Sequence, residues 1–126
     1  MDALTIQEAA QTTEWSARML RYIEQAGLIE PQRSDAGYRL YGPGELQRLR
    51  TLRELVAQFD VGLGDIGFAM RLRRDEELAG AVDAWLAAEP QRPDDVPPAD
   101  WLRWEQDKHS KLLALARATT PATTHA

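Results

Sequence analysis

The chain of 126 residues contains no cysteine and only two histidines, His109 and His125. The absence of cysteine excludes disulfides, thiolate metal sites and thiol redox sensing, and two histidines are too few for a metal cluster. No apolar run approaches the ~18 residues that span a bilayer, and no signal peptide is recognisable. The sequence shows no nucleophile-base pair and no Gly-rich phosphate loop. We therefore expect a cytoplasmic protein with no cofactor, no metal, no membrane contact and no enzymatic activity.

The charge is distributed unevenly along the chain. The formal net charge of −5, taken alone, argues against a nucleic-acid partner. Residues 1–74, however, hold ten Arg and ten Asp or Glu, so residues 75–126 carry the whole negative excess. Within residues 15–53, seven arginines stand against four acidic residues. A GC-rich genome explains the preference for Arg over Lys equally well, but the clustering favours phosphate and base recognition by the planar guanidinium fork.

Two short helices are predicted near the N-terminus. Thr5 and Glu8 have the spacing of a capping box, which begins a helix that ends near residue 11. A second helix is predicted over residues 16–26, where Gly27 supplies a left-handed stop. Two such helices joined by a few residues form a helix-turn-helix, in which the second helix reads the DNA major groove.

The second predicted helix is amphipathic. Its expected buried side consists of Met19, Leu20 and Ile23, which follow the helical period. The other faces carry polar, basic and aromatic side chains, which are Arg18, Arg21, Tyr22 and Gln25.

A small hairpin is predicted directly after this helix. Pro31 disfavours helix in the residue before it, residues 34–37 carry turn chemistry, and residues 38–41 alternate like a strand. A hairpin in this position forms a wing that can contact the DNA backbone beside the reading helix.

Further helices are predicted downstream. Pro43 opens a third helix that runs to about residue 58, and a fourth begins near Leu63. The residues of the fourth helix that we expect to face inward are Ile66, Ala69 and Met70. A fifth helix over residues 75–89 is followed by a Pro-rich linker at 90–98, and a last helix runs from 101 to about 117.

The sequence contains a set of motif elements that follow one another in one order at fixed spacing: Leu20-Arg21-Tyr22, Glu24, Gly27-Leu28-Ile29, Pro31, Arg33 and Gly37-Tyr38-Arg39-Leu40-Tyr41. With them, the stretch from Leu4 to about Arg74 resembles the N-terminal domain of MerR-type transcriptional regulators. The resemblance implies a mainly α fold, a winged helix-turn-helix with a small β-hairpin wing followed by C-terminal helices. It also implies a dimer that binds an inverted repeat in a promoter and distorts the DNA.

The resemblance assigns DNA contacts by position. Those in or beside the major groove are Arg18, Arg21 and Tyr22. Those made by the wing to phosphates are Arg33, Tyr38 and Arg39. Arginine suits both roles, because contacts to phosphate fix the register and contacts in the groove read base edges.

Alternatives stay open for several aromatic and basic residues. Tyr22 either contacts DNA or packs under the wing, and we expect Tyr41 in the core rather than at the DNA. We expect Arg48, Arg50 and Arg53 to form a solvated face, with phosphate contact as the alternative.

The chain departs from the family pattern in three places. Before the fourth helix, members usually carry an aliphatic-Gly-aromatic-Ser stretch, where this chain has Phe59-Asp60-Val61-Gly62. The turn between the first two helices usually carries Gly and a small aliphatic residue, where this chain has Glu14 and Trp15; we expect Trp15 to fill a core gap or pack on the first helix. Many members continue with one long helix that forms an antiparallel coiled coil between protomers. Here the helix over 75–89 spans only about 22 Å before Pro90, so dimerisation is expected by analogy alone.

We therefore predict a winged helix-turn-helix DNA-binding domain over 1–74 and a helical dimerisation, effector or partner region over 75–118. A disordered tail is predicted over 119–126. Trp85, Trp101 and Trp104 either line an aromatic ligand pocket or, as we favour, anchor the core and an interface.

The predicted function is a sequence-specific transcriptional regulator, associated with the nucleoid, that binds an inverted-repeat promoter site as a homodimer. Its expected partners are double-stranded DNA, a second copy of the chain, and RNA polymerase or another protein; no effector is identified. One alternative is an architectural DNA-binding protein without an effector. The other is a protein-interaction module that acts through the acidic C-terminal half.

Overall fold

A computed structural model describes residues 3–60 and 65–118. In this part of the chain, helices dominate and one antiparallel hairpin accompanies them, which confirms the mainly α fold with a wing. The elements in order are α1 (Ile6–Thr13), α2 (Ala17–Gln25), β1 (Gln32–Arg33), β2 (Arg39–Leu40), α3 (Pro43–Gln58), α4 (Asp65–Arg74), α5 (Glu76–Ala87), a 3-10 turn (Pro98–Asp100) and α6 (Trp101–Ala118). None of the described helices is both long and apolar enough to cross a membrane. The predicted start of the fourth helix near Leu63 and the predicted tail over 119–126 lie outside the described residues.

The first helix begins where the capping box predicts. The Thr5 hydroxyl accepts from the Glu8 amide at 3.2 Å, and the Glu8 carboxylate accepts from the Thr5 amide at 2.9 Å. The helix ends at Thr13 rather than near residue 11, because the buried Thr13 hydroxyl donates to the Ala9 carbonyl (2.9 Å) and accepts from the Trp15 amide (3.2 Å). Trp15 itself is 1% exposed and fills the core.

The second helix is capped at both ends by neighbouring residues. The Ser16 hydroxyl accepts from the Met19 amide at 3.0 Å at the start. Gly27 adopts φ +78° at the end, and the Leu28 amide reaches back to the Ile23 carbonyl at 3.0 Å. This left-handed ending is the predicted one.

The positive φ of Gly27 gives a direct test of this helix ending. We expect Gly27→Ala to lower the free energy of unfolding by about 1 kcal/mol or more, because a Cβ disfavours the left-handed region. A Cβ at Gly27 meets nothing within 4 Å, so the cost comes from the backbone alone. Gly80 within α5 is a matched control, since a Cβ there also meets nothing within 4 Å and Ala is favoured in a helix by about 1 kcal/mol. In denaturant unfolding, the free energy of unfolding should fall for Gly27→Ala and rise for Gly80→Ala. A loss of stability in both variants would contradict this explanation.

The wing is a two-residue antiparallel ladder whose second strand is also paired on its other side. Gln32 pairs with Leu40 and Arg33 with Arg39. The turn closes through Gly37 at φ +89°. On its far side, the second strand continues into a bridge in which Leu4 and Tyr41 exchange backbone hydrogen bonds of 2.8 and 2.7 Å. The base of the wing is therefore fixed to the segment that leads into α1.

The fourth helix turns a different side to the core than predicted. Phe68 is completely buried and Met70 is 48% exposed, so the prediction for Met70 is wrong. The helix packs on α2 and α5, and Phe68 meets the ring of Tyr22 edge-on at 6.2 Å. Met70, two residues further along, lies on the opposite side of the helix. Ala69 is half-buried, and the side chain of Ile66 lies outside the described residues.

The long third helix is the centre of the core. Its buried side chains are Leu46, Leu49, Leu52 and Val56. One apolar cluster joins them to the N-terminal helices and to Leu78, Val82 and Trp85 of α5. The last helix packs across both α3 and α1. Residues 75–118 thus fold back onto the winged helix-turn-helix.

The predicted linker over 90–98 follows α3 closely. Gln47 forms a two-way clasp with Gln91, donating to its carbonyl at 2.6 Å and accepting from its amide at 2.7 Å. Val96 is buried. The chain between α5 and α6 is therefore held against the surface of α3.

The structure corrects the expectation of a solvated arginine face on α3. Arg48 donates to carbonyls at the end of α5 and lies 4.6 Å from the ring centroid of Trp85. Arg50 donates to Glu105 of α6 at 3.2 Å. Arg53 donates to the carbonyl that ends α1 and lies 5.0 Å from the centroid of Trp15. All three arginines join α3 to other helices.

A buried polar cluster connects α6 to α3. Glu105 is completely buried and accepts from Gln47 at 3.1 Å, Arg50 at 3.2 Å and Trp101 at 3.1 Å. One turn later, His109 is also completely buried, and its Nε2 lies 2.8 Å from the Leu46 carbonyl.

Burial of His109 makes the stability of the fold depend on pH. Desolvation lowers the pKa of His109 from its ordinary 6.5; Arg50 and Arg53 act in the same direction, against the Leu46 carbonyl and Glu105. The unfolded chain therefore binds the proton first as pH falls. The stability that the neutral form of His109 contributes is fully present above pH 6.5 and is lost as pH falls toward the lower pKa of the folded state. Over that range, the free energy of unfolding changes by at most about 1.4 kcal/mol per pH unit.

Unfolding free energies between pH 5.5 and 7.5 test this expectation. The wild-type chain should lose stability toward pH 5.5, and His109→Gln should remove that part of the dependence while lowering stability at pH 7.5. Parallel curves for the two proteins would show that His109 does not carry the effect.

Candidate nucleic-acid interface

The second helix presents its charged residues away from the core. Because Met19, Leu20 and Ile23 are buried, Arg18 and Arg21 lie on the exposed sides of the helix. Tyr22 is half-buried, and the ring it contacts is that of Phe68. Both arginines are therefore exposed side chains on the surface of the helix.

A cleft of about 370 Å³ lies where the helix, the wing and the start of α1 converge. It is lined by Thr5, Ile6, Gln7, Arg21, Gly37, Tyr38 and Arg39. Two arginines from different elements therefore share one recess beside the start of α1. A phosphate of a nucleic-acid backbone fits this chemistry.

The wing separates its two tyrosines into different environments. Tyr38 is 72% exposed at the turn, whereas Tyr41 is 1% exposed and belongs to the core, as predicted. Burial raises the pKa of the Tyr41 phenol, and the nearby Glu24 carboxylate adds to this, while Arg39 acts against it. Tyr38 is thus the exposed aromatic side chain of the wing.

Glu24 of α2 pairs with two arginines of the wing. Its Oε2 lies 2.6 Å from Nη2 of Arg33, and its Oε1 accepts from Nε of Arg39. Arg33 also donates to the Gly37 carbonyl within the turn at 3.3 Å. The motif contains Glu24, but the sequence does not reveal this pairing, because it depends on how the hairpin lies beside the helix.

The family model of MerR HTH regulatory proteins matches residues 4–71, just over half of the chain. The chain belongs to the MerR family. The matched stretch contains α1, α2, the wing, α3 and most of α4, so the cleft and its arginines lie within the part that the family shares.

Two curated relatives illustrate how far the similarity extends. Heavy metal-dependent transcription regulator 2 of Rhizobium meliloti is 43% identical over 51 residues, which cover 40% of this chain and 35% of that protein. An uncharacterized HTH-type transcriptional regulator of Pseudomonas aeruginosa is 34% identical over 89 residues, which cover 68% of this chain and 65% of that protein. The chain thus spans 35% to 65% of the length of these relatives. No solved structure is a significant match.

The tryptophans of the C-terminal half of this MerR-family chain contact α3 and its neighbours. Trp85 donates to the Thr51 hydroxyl at 2.9 Å, and Trp101 donates to Glu105. Trp104 lies under the side chains of Arg50 and Lys108, at 5.9 and 5.1 Å from its ring centroid. A recess beside Trp85 measures about 160 Å³, below the roughly 300 Å³ at which ligand pockets begin. These contacts support the interpretation of the tryptophans as packing anchors.

The Rhizobium relative is named as heavy metal-dependent, which raises the question of a metal site in this chain. Over residues 3–60 and 65–118, no group of three or more His, Cys, Asp or Glu side chains is placed to hold a metal ion. The whole chain also lacks cysteine.

Proposed function

We propose that this MerR-family chain is a DNA-binding transcriptional regulator that recognises a specific sequence through α2 and the wing. The observation that supports it is the cleft shared by Arg21 and Arg39, which joins the reading helix to the wing. In this proposal, the residues in or beside the major groove are Arg18, Arg21 and Tyr22. The wing residues at the phosphates are Arg33, Tyr38 and Arg39.

The proposal includes a homodimer on an inverted repeat, as the family resemblance implies. Residues 75–118 would supply the contact between copies, and Leu86 and Leu115 are the large apolar side chains that α5 and α6 leave 41% and 64% exposed. RNA polymerase or another protein would be a further partner on the promoter, and the protein would associate with the nucleoid. We do not extend heavy-metal dependence to this chain, because cysteine thiolates are absent from it.

Selection from random-sequence DNA tests the proposal. The purified full chain is mixed with a random duplex library at physiological salt, and the retained DNA is sequenced. Enrichment of an inverted repeat, with two chains per duplex in sedimentation experiments, would support the regulator and the dimer. Enrichment of a single half-site with one chain bound would sink the dimer and favour the architectural alternative. Salt-sensitive binding without enrichment would sink specific recognition altogether.

A further inference from the structure

One carboxylate connects the reading helix to the wing. Glu24 uses a separate oxygen for each wing arginine, Oε2 for Arg33 and Oε1 for Arg39. Its side chain is 20% exposed, against 25% for Arg39 and 44% for Arg33. Partial burial of this kind makes an ion pair more effective than one fully in solvent.

The pairing leaves the Nη groups of Arg39 available, because Arg39 contacts Glu24 through Nε. Arg39 donates to Glu24 through Nε, and its side chain lines the cleft with Arg21. A guanidinium has five N–H donors in a rigid fork, so Nε can hold Glu24 while the Nη groups reach a phosphate. Glu24 itself does not line the cleft, whereas Arg39, which it holds, does.

Glu24 also sets the charge of this surface. Arg21 precedes it by three residues on the same helix, so the two lie on neighbouring turns of one face. Arg21, Arg33 and Arg39 carry three positive charges, and Glu24 removes one of them. A free arginine attracts any phosphate, whereas an arginine held at a fixed distance from α2 meets a phosphate only in one register of the DNA.

We infer that Glu24 is a positioning residue that raises the DNA-sequence specificity of this chain by holding Arg33 and Arg39 at a fixed place relative to α2 and by neutralising part of their charge. The inference rests on the proposed function and adds to it a residue that need not contact DNA. Glu24 thereby lowers sequence-independent binding and favours the bound register that α2 can read.

The test compares three variants on two duplexes. Affinities for the selected operator and for a scrambled duplex of equal length are measured over a range of salt concentrations. Glu24→Gln removes the charge, and Glu24→Asp keeps the charge but withdraws the carboxylate by one methylene. Glu30→Gln is the control for charge alone, because Glu30 is exposed beside the wing and loses the same charge. Thermal unfolding confirms that each variant is folded at the temperature of the assay.

Glu24→Gln should lower the ratio of operator to scrambled affinity by roughly tenfold, the scale of one misread base pair. Its binding to scrambled DNA should tighten, with a salt slope steeper by up to about 0.9. Glu24→Asp should weaken operator binding without tightening the scrambled complex. Glu30→Gln should raise both affinities together and leave the ratio unchanged.

Two results would overturn the inference while leaving the proposed function intact. One is a ratio for Glu24→Gln within twofold of the wild type. The other is the same ratio for Glu24→Gln and Glu30→Gln, which would reduce the effect to net charge. A wild-type chain that does not distinguish the two duplexes would instead overturn the proposed function, and this inference with it.

Discussion

Replacing Arg21 by alanine is expected to weaken operator binding by about 1–3 kcal/mol, the range for an arginine that reads a base. Arg21 is exposed on α2 and lines the cleft with Arg39, so in the proposed complex it would lie within reach of both the groove and the adjacent backbone. Binding to scrambled DNA should fall much less, because sequence-independent affinity is shared among many phosphate contacts. Titration of each labelled duplex with protein at a fixed salt concentration measures the two effects.

Arg103→Ala is the matched control for this experiment. Arg103 is exposed on α6 and does not line the cleft, so its removal changes the net charge equally without removing a side chain from the cleft. We expect operator affinity to stay close to that of the wild type. Operator binding that Arg21→Ala leaves unchanged, or reduces no more than Arg103→Ala does, would remove Arg21 from the recognition surface.

Replacing Glu105 by alanine is expected to cost about 3–5 kcal/mol of folding free energy, the range for breaking a buried ion pair from one side. The variant leaves Arg50 without its buried partner and takes the acceptor from Gln47 and Trp101. Small domains have only about 5–15 kcal/mol of stability in total, so the midpoint of denaturant unfolding should shift strongly.

Glu54→Ala provides the comparison, because Glu54 lies near the same Arg50. That contact is 4.0 Å long and its carboxylate is 47% exposed, and exposed helix pairs of this spacing contribute about 0.3–0.5 kcal/mol. Each variant thus removes a glutamate that lies near Arg50, but one of these glutamates is exposed and the other is buried. Similar small losses in both would mean that Glu105 does not hold α6 in place.

Local signals made much of the N-terminal fold predictable. Thr5 with Glu8, and Gly27 with its positive φ, act on neighbouring backbone groups, so their effects are contained in a few residues of sequence. The same is true of Pro43 at the start of α3. The proposed site shares this advantage, since α2 and the wing are consecutive in the chain and the motif gives their order.

Contacts between distant segments were not predictable. The sequence predicted that Arg48, Arg50 and Arg53 form a solvated face on α3. Their hydrogen-bond acceptors, however, lie 38 to 55 residues away along the chain. Periodicity does not reveal such partners, and a glutamate such as Glu105 is seldom expected in a core. The burial of Phe68 was not predicted, because the face of α4 that is buried depends on how the helix packs against α2 and α5.

The way in which α5 and α6 fold back has a practical consequence for dissecting this protein. A fragment cut at residue 74, just beyond the stretch that the family model matches, would lose Leu78, Val82 and Trp85 from the apolar cluster. The side of α3 that these residues cover would then face water, and contiguous apolar surface of this kind promotes self-association. Such a fragment would aggregate more readily than the full chain, and its DNA affinity would be a poor guide to that of the intact protein. Minimal versions for binding or crystallisation should therefore extend to the end of α6.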